Sequence, residues 1–210
     1  CTQSIIESGL KRIVIGATDP NPKHSGNACR LLRKAGIEVQ KNVLEREATD
    51  LNSAFNHWVT HRTPFVTVKA AMTIDGKIAK ENGESKWITS EAARRKGRHL
   101  RNGSDAILVG IETILADNPS LTTRGGRRIA QLRRVVLDSH ARTPLDAKII
   151  RDGAANSTTV VVLKGARRRS VVELRKRVMV VVAPARNGRI DLKWLLKRLG
   201  KENVSNLLVE

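Results

Sequence analysis

Asp105-Ala106-Ile107-Leu108-Val109-Gly110 is the stretch whose reading decides the fold. Four apolar residues between a carboxylate and a glycine have strand length rather than helix length, and they read as a buried strand. The chain continues into Ile111-Glu112-Thr113, on the side of an α/β sheet where ligands usually sit. Working outward, Phe65–Ala71, Arg134–Asp138, Thr158–Leu163 and Met179–Ala183 read as further strands, and Val204–Glu210 as the start of a last one. Between them, Ser90 caps a predicted helix through Arg101, and helices are expected over Val171–Lys176 and Leu192–Leu199. Upstream, Lys11–Gly16 reads as a short buried strand, Ser25 caps a helix through Lys34, and Ile37-Glu38-Val39 is a second strand. Glu45 to Val59 is expected as one helix. Alternating strands and helices argue for a parallel sheet covered by helices. Polar Thr60-His61-Arg62-Thr63 followed by Pro64 marks a boundary, giving segments 1–62 and 63–210.

The 210 residues carry 39 Lys+Arg against 20 Asp+Glu, a formal charge of +19. Such a balance points to nucleic acid, an anionic surface or phosphorylated ligands. The excess is uneven: +2 over residues 1–60, +4 over 61–124 and +13 over 125–210. The arginine clusters of the last third, among them Arg133-Arg134 and Arg167-Arg168-Arg169, lack the interleaved aromatic residues on which single-strand binders stack bases. Solvated basic surface is therefore the favoured reading, and a nucleic-acid-binding module the alternative. Charged residues interrupt every apolar run well before 18 positions, so no transmembrane helix is expected. Two cysteines cannot build a disulfide framework, which fits a reducing, cytoplasmic setting. The chain opens at Cys1 and closes on apolar Leu207-Leu208-Val209-Glu210, so it reads as a fragment of a longer protein.

Three stretches could carry chemistry. Lys69 stands at a strand end before the turn Asp75-Gly76. Ser85-Lys86-Trp87-Ile88-Thr89 leads into a helix N-terminus, whose free N–H groups favour anions. Asp117, Ser120, Thr122, Thr123 and Arg124 lie in one loop. There an arginine fork could take phosphate, while hydroxyls and a carboxylate bond to sugar oxygens. By spacing alone the blander readings stay open: an exposed lysine at 69, a core or lid tryptophan at 87, and an Asx turn at Asp117-Asn118-Pro119. No G-x-G-x-x-G, P-loop or G-x-S-x-G stretch is present.

Four blocks in order then resemble the reductase domain of the bifunctional deaminase/reductase family of riboflavin biosynthesis. They are Lys69–Lys77, Gly83–Ser90, Ile107-Leu108-Val109-Gly110 and Ala116–Leu121, with Asp138-Ser139 and Leu208-Val209-Glu210 extending the match. Residues 1–60 resemble the last part of that family's deaminase domain through Cys1-Thr2-Gln3, Arg12–Gly16, Asp19-Pro20-Asn21-Pro22 and Ala35–Val39. The resemblance implies the C-terminal part of a cytidine-deaminase-like three-layer domain (1–62), followed by a dihydrofolate-reductase-like α/β domain (63–210). It implies NADPH-dependent reduction of the ribosyl group of 5-amino-6-(5-phosphoribosylamino)uracil to a ribityl chain, and a homodimer. A reductase-like scaffold that has lost its active site is a further alternative. Ala71, Trp87, Thr113, Asp117 and Ser139 would line the NADPH site. Lys69, Ser85, Thr89, Arg101, Ser120, Leu121, Arg124 and Glu210 would meet the substrate, with Asn21 contacting a pyrimidine in the deaminase part. Lys69 and Asp117 would orient the ribose and handle protons. Cys1 matches one zinc ligand of the deaminase cluster. A lone cysteine cannot complete a tetrahedral site, so neither zinc binding nor deamination is expected of this chain.

Overall fold

β-Branched and leucine-rich runs that stay apolar on both sides of the pleat can be satisfied only inside a sheet covered on both faces. That is where the chain puts them. The structure, a computed structural model, describes residues 1–24, 26–84, 88–123 and 132–210. Its elements in chain order are α1 (Thr2–Glu7), β1 (Arg12–Val14), α2 (Asn27–Lys34), β2 (Glu38–Gln40), α3 (Glu45–Leu51), α4 (Ser53–His61) and β3 (Phe65–Val68). Then come α5 (Glu91–Asn102), β4 (Ala106–Gly110), α6 (Ile111–Asp117), β5 (Arg133–Leu137), α7 (Lys148–Arg151), β6 (Thr158–Leu163) and α8 (Arg168–Arg175). The chain closes with β7 (Met179–Ala183), β8 (Ala185–Arg186), β9 (Arg189–Ile190), α9 (Leu192–Lys201) and β10 (Asn206–Val209).

Among the described residues, six strands form one sheet in the order β3-β10-β4-β5-β6-β7, every neighbouring pair parallel. The last strand thus inserts between β3 and β4. Alternate residues feed two cores. Ile107, Val109, Val136, Val160, Val162 and Leu208 face one side, where Ile111 and Ile114 of α6, Ile149 of α7 and Leu174 of α8 cover them. Ala106, Leu108, Val135, Val161 and Leu207 face the other, under Leu195 and Leu199 of α9 and Ile190 of β9. Each such buried aliphatic side chain contributes about 1.5–3 kcal/mol relative to exposure.

Residues 1–61 make a smaller assembly. β1 and β2 form a two-stranded parallel sheet, and its strands are less buried than expected, with Val14 exposed. Cys29 and Leu32 are buried on α2, while Leu31 is exposed. The expected cap Ser25 lies outside the described residues, and α2 begins after Gly26 at φ 71. The helix expected over Glu45–Val59 is two helices. They break at Asn52, whose side-chain amide turns back to donate to the Ala48 carbonyl, the local competition typical of asparagine.

α4 ties this part to the large sheet. Trp58 Nε1 donates to the Gly200 carbonyl of α9 at 3.0 Å. Gly200 has no side chain for a reason: a Cβ there would lie 2.1 Å from the Arg62 carbonyl oxygen and 2.9 Å from Thr63 Cα. The backbone after α4 therefore crosses α9 at a distance only glycine permits.

Candidate functional site

Three side chains far apart in sequence meet at one carboxylate. Lys69 follows β3 by one residue, and its N–H donates to the Val209 carbonyl. Glu210 follows β10 by one residue, and its N–H donates to the Leu108 carbonyl. Both thus continue the parallel ladder, which sets them side by side past the carboxyl ends of adjacent strands, the ligand side of such sheets. Arg101, in the last turn of α5, reaches across: Nε donates to Glu210 Oε1 at 2.9 Å and Nη2 to Oε2 at 2.7 Å. Lys69 Nζ stands 3.5 Å from the same Oε2.

The electrostatics follow from burial. Glu210 keeps 9% of its side-chain surface, Arg101 20% and Lys69 33%. Burial pushes the Glu210 carboxyl upward. The hydrogen bonds and charge of Arg101, with the Lys69 ammonium, outweigh it and hold the group below the ordinary carboxylate range. One buried carboxylate thus serves two cations, leaving a net positive cluster. Lys69 keeps donors beyond the one aimed at Glu210 and is the most open of the three. The arrangement can receive an anionic or hydroxyl-rich ligand.

The remaining guanidinium nitrogen of Arg101, Nη1, donates to the Thr122 carbonyl at 3.3 Å. That bond joins the cluster to the loop after α6. In this loop Leu121 is buried to 2% exposure although its φ is +50°, and Asn118 has φ +42°. The Asn118 side-chain carbonyl accepts from the Lys148 N–H at 2.9 Å, and the Ser120 carbonyl accepts from Arg134 Nη1 at 2.9 Å.

Thr113 is half-buried on α6, and Asp117, expected in a loop, is the exposed final residue of that helix. Ala71 is exposed just past β3, and Thr89, whose carbonyl accepts from Arg94, precedes the capped α5. Ser90 Oγ accepts from the Ala93 N–H at 3.3 Å, the expected cap. Ser139 follows β5, and its carbonyl accepts from the Leu163 N–H. Beside it Asp138 is fully buried: Oδ2 accepts from the N–H and hydroxyl of Thr143, both at 2.7 Å, while Oδ1 has no partner among the described residues. Asn21 is occupied by its own turn, its side chain accepting from the Lys23 N–H. Cys1 is exposed ahead of α1, and no group of three or more metal-ligating side chains occurs among the described residues. Ser85, Trp87 and Arg124 lie outside the described residues.

One arginine corrects the sequence reading. Arg133-Arg134 was expected on solvated surface, yet Arg134 retains 1% exposure. Neighbours on a strand point to opposite faces. Arg133 therefore pairs with Glu202, the residue just past α9, while Arg134 enters the core beside Ile149. The legible signal is its place inside the strand run Arg134-Val135-Val136-Leu137. No helix among the described residues is long and apolar enough to cross a membrane.

Residues 64–210 match the family model described as the RibD C-terminal domain. The riboflavin biosynthesis protein RibD of Actinobacillus pleuropneumoniae is 42% identical over all of this chain and 56% of its own length. That of Aquifex aeolicus is 40% identical over all of this chain and 57% of its own. Among solved structures, the diaminohydroxyphosphoribosylaminopyrimidine deaminase/5-amino-6-(5-phosphoribosylamino)uracil reductase of Thermotoga maritima superposes with a TM-score of 0.83 at 36% identity. That likeness covers 100% of this chain and 56% of the other. The chain thus spans little more than half the length of these relatives. With its parallel sheet and its match from residue 64 to residue 210, the chain belongs to the RibD C-terminal domain family, the reductase family of riboflavin biosynthesis.

Proposed function

We propose that this chain carries the NADPH-dependent reduction of 5-amino-6-(5-phosphoribosylamino)uracil, turning its ribosyl group into a ribityl chain. Residues 1–62 are then the closing part of the preceding deaminase domain, a reading supported by alignments to RibD proteins that run through those residues as well. The observation that carries the proposal is the Glu210 cluster at the carboxyl ends of β3 and β10, within the segment that matches the reductase family.

The family implies a nicotinamide cofactor, and the residues after β5 fit one. Buried Asp138 fixes the chain there by accepting from the N–H and hydroxyl of Thr143, and its neighbour Ser139 stays partly open past the carboxyl end of the strand, where its hydroxyl is available to a cofactor. Ser139, with Thr113, Ala71 and Asp117, completes the expected NADPH set, together with Trp87. Reduced nicotinamide, when bound, supplies the hydride taken up at C1′ of the ring-opened sugar while a proton goes to the attached nitrogen.

This chain's residues bind, orient and move protons. Glu210 holds Lys69 and Arg101 at fixed positions, so that little reorganisation is needed when substrate arrives. Arg101, with Arg124, meets the phosphate as a fork. Lys69 donates to ribose oxygens, and Asp117 accepts from a ribose hydroxyl and handles the proton. Ser85, Thr89, Ser120 and Leu121 form the rest of the substrate wall.

The test follows NADPH consumption on adding the pyrimidine ribosylamine phosphate. Turnover is expected, and Lys69→Ala or Asp117→Asn should lower kcat at least tenfold. Unchanged rates in both variants would remove those roles.

A further inference from the structure

Among the described residues, Arg134 is the largest fully buried side chain, and all three of its guanidinium nitrogens donate hydrogen bonds. Nε donates to Thr158 Oγ1 at 2.9 Å, and Nη2 to the Ile149 carbonyl at 3.0 Å. Nη1 and Nη2 form a fork on Asp152, at 2.6 Å to Oδ2 and 2.8 Å to Oδ1. Nη1 also donates to the Ser120 carbonyl. Asp152 is itself set by the Ala154 N–H, which donates to Oδ1 at 3.1 Å.

Two residues beyond Ser120, the Thr122 carbonyl is held by Arg101, the arginine that grips Glu210. Between the two arginines sits Leu121, with a left-handed backbone and a side chain inserted in the core. That conformation is unfavourable for a residue with a Cβ and persists where its surroundings over-determine it. Here they do so from both sides.

We propose that Arg134 is a positioning residue for substrate binding. With Asp152 as its counter-charge, it fixes residues 118–123 so that Ser120 and the Leu121 backbone face the substrate and the Thr122 carbonyl keeps Arg101 aimed. The inference rests on the proposed function for its substrate, but not for its mechanical part. Without the latch, Leu121 relaxes from its left-handed conformation and the substrate wall loses shape. The reacting carbon meets other groups, so the loss falls on substrate binding shared by ground and transition states.

The test uses the full chain with Arg134→Lys and Asp152→Asn. The lysine keeps charge but loses the fork; the asparagine keeps shape and one acceptor oxygen but loses the counter-charge and the second acceptor. For each folded variant, KM for 5-amino-6-(5-phosphoribosylamino)uracil should rise at least tenfold, with kcat and KM for NADPH within twofold. Amide hydrogen exchange across 118–123 should quicken at least tenfold. A fall in kcat that tracks the folded fraction, with substrate KM unchanged, would reduce Arg134 to a core residue and overturn the proposal. So would unchanged exchange across 118–123 in Asp152→Asn, which also decides the matter should Arg134→Lys fail to fold. If wild-type chain reduces nothing, the proposed function fails, and exchange alone then judges the latch.

Discussion

Two arginine–carboxylate pairs on one face of the sheet are built alike and exposed differently. Arg134–Asp152 and Arg101–Glu210 are both two-point forks with their shorter bonds at 2.6 and 2.7 Å. In the first, the arginine is sealed in the core and its nitrogens are spent on Thr158, Ile149, Ser120 and Asp152. In the second, the carboxylate is the sealed member. It is shared with Lys69, and both cations remain partly open to water. A sealed, saturated arginine has nothing left to offer a ligand and acts on the backbone around it. A sealed carboxylate serving two open cations presents positive charge outward at low reorganisation cost. On the roles proposed above, the same chemical pair serves shape in one place and recognition in the other.

Variants that treat the two pairs alike should break that contrast if it is wrong. The largest effect is expected for Arg134→Met. It leaves Asp152 without its charge partner and the Ser120 carbonyl without its arginine donor, while the Ile149 carbonyl keeps the Thr158 hydroxyl. It should cost about 3 kcal/mol in urea unfolding, the low end for a broken buried pair because Asp152 is partly wet. Glu210→Gln keeps an acceptor for Arg101 and should cost about 1 kcal/mol of stability, yet raise the substrate KM tenfold or more.

Acid should separate the pairs further. Both Asp152 and Glu210 have carboxyls held low, Asp152 chiefly by its hydrogen bonds from Arg134. Their stabilisation is therefore present above the ordinary values of 3.8 and 4.5, and is lost as pH falls through each folded value. Thermal melts from pH 6 to 3 should show Glu210→Gln flattening the loss that begins below 4.5. His57, lowered by burial and by the charge of His61, contributes an earlier loss as pH falls below 6.5, and both variants should retain it. The smallest effect is expected for Arg169→Ala on the exposed side of α8, within about 0.5 kcal/mol. A larger change would mean that the outer arginines are less idle than their exposure indicates.

Much of the sheet was legible because local pattern dictates it. Thr158–Leu163 and Met179–Ala183 fall where their apolar runs predict, and Ser90 caps the helix that follows it. The order of strands was not legible. Nothing local tells Asn206–Val209 to enter between Phe65–Val68 and Ala106–Gly110, since that pairing spans up to 141 residues and is decided by packing on both faces. The site shared that limit. Lys69 is marked by its place at a strand end, and Arg101 and Glu210 only by family resemblance, but their common carboxylate is a product of the β10 insertion. Arg134 was hidden by its neighbour: two adjacent arginines read as surface, although on a strand they must part to opposite faces.

On the proposed function, the Glu210-centred cluster recognises a phosphorylated pyrimidine ribosylamine for reduction. The most direct test of that recognition is the steady-state rate of NADPH consumption against that substrate, for wild-type chain and Glu210→Gln, with unfolding midpoints measured on the same samples. Wild type should show substrate-dependent turnover, and the variant a substrate KM at least tenfold higher with KM for NADPH unchanged. An equal substrate KM in the two proteins, or no substrate-dependent NADPH consumption by folded wild type, would contradict it.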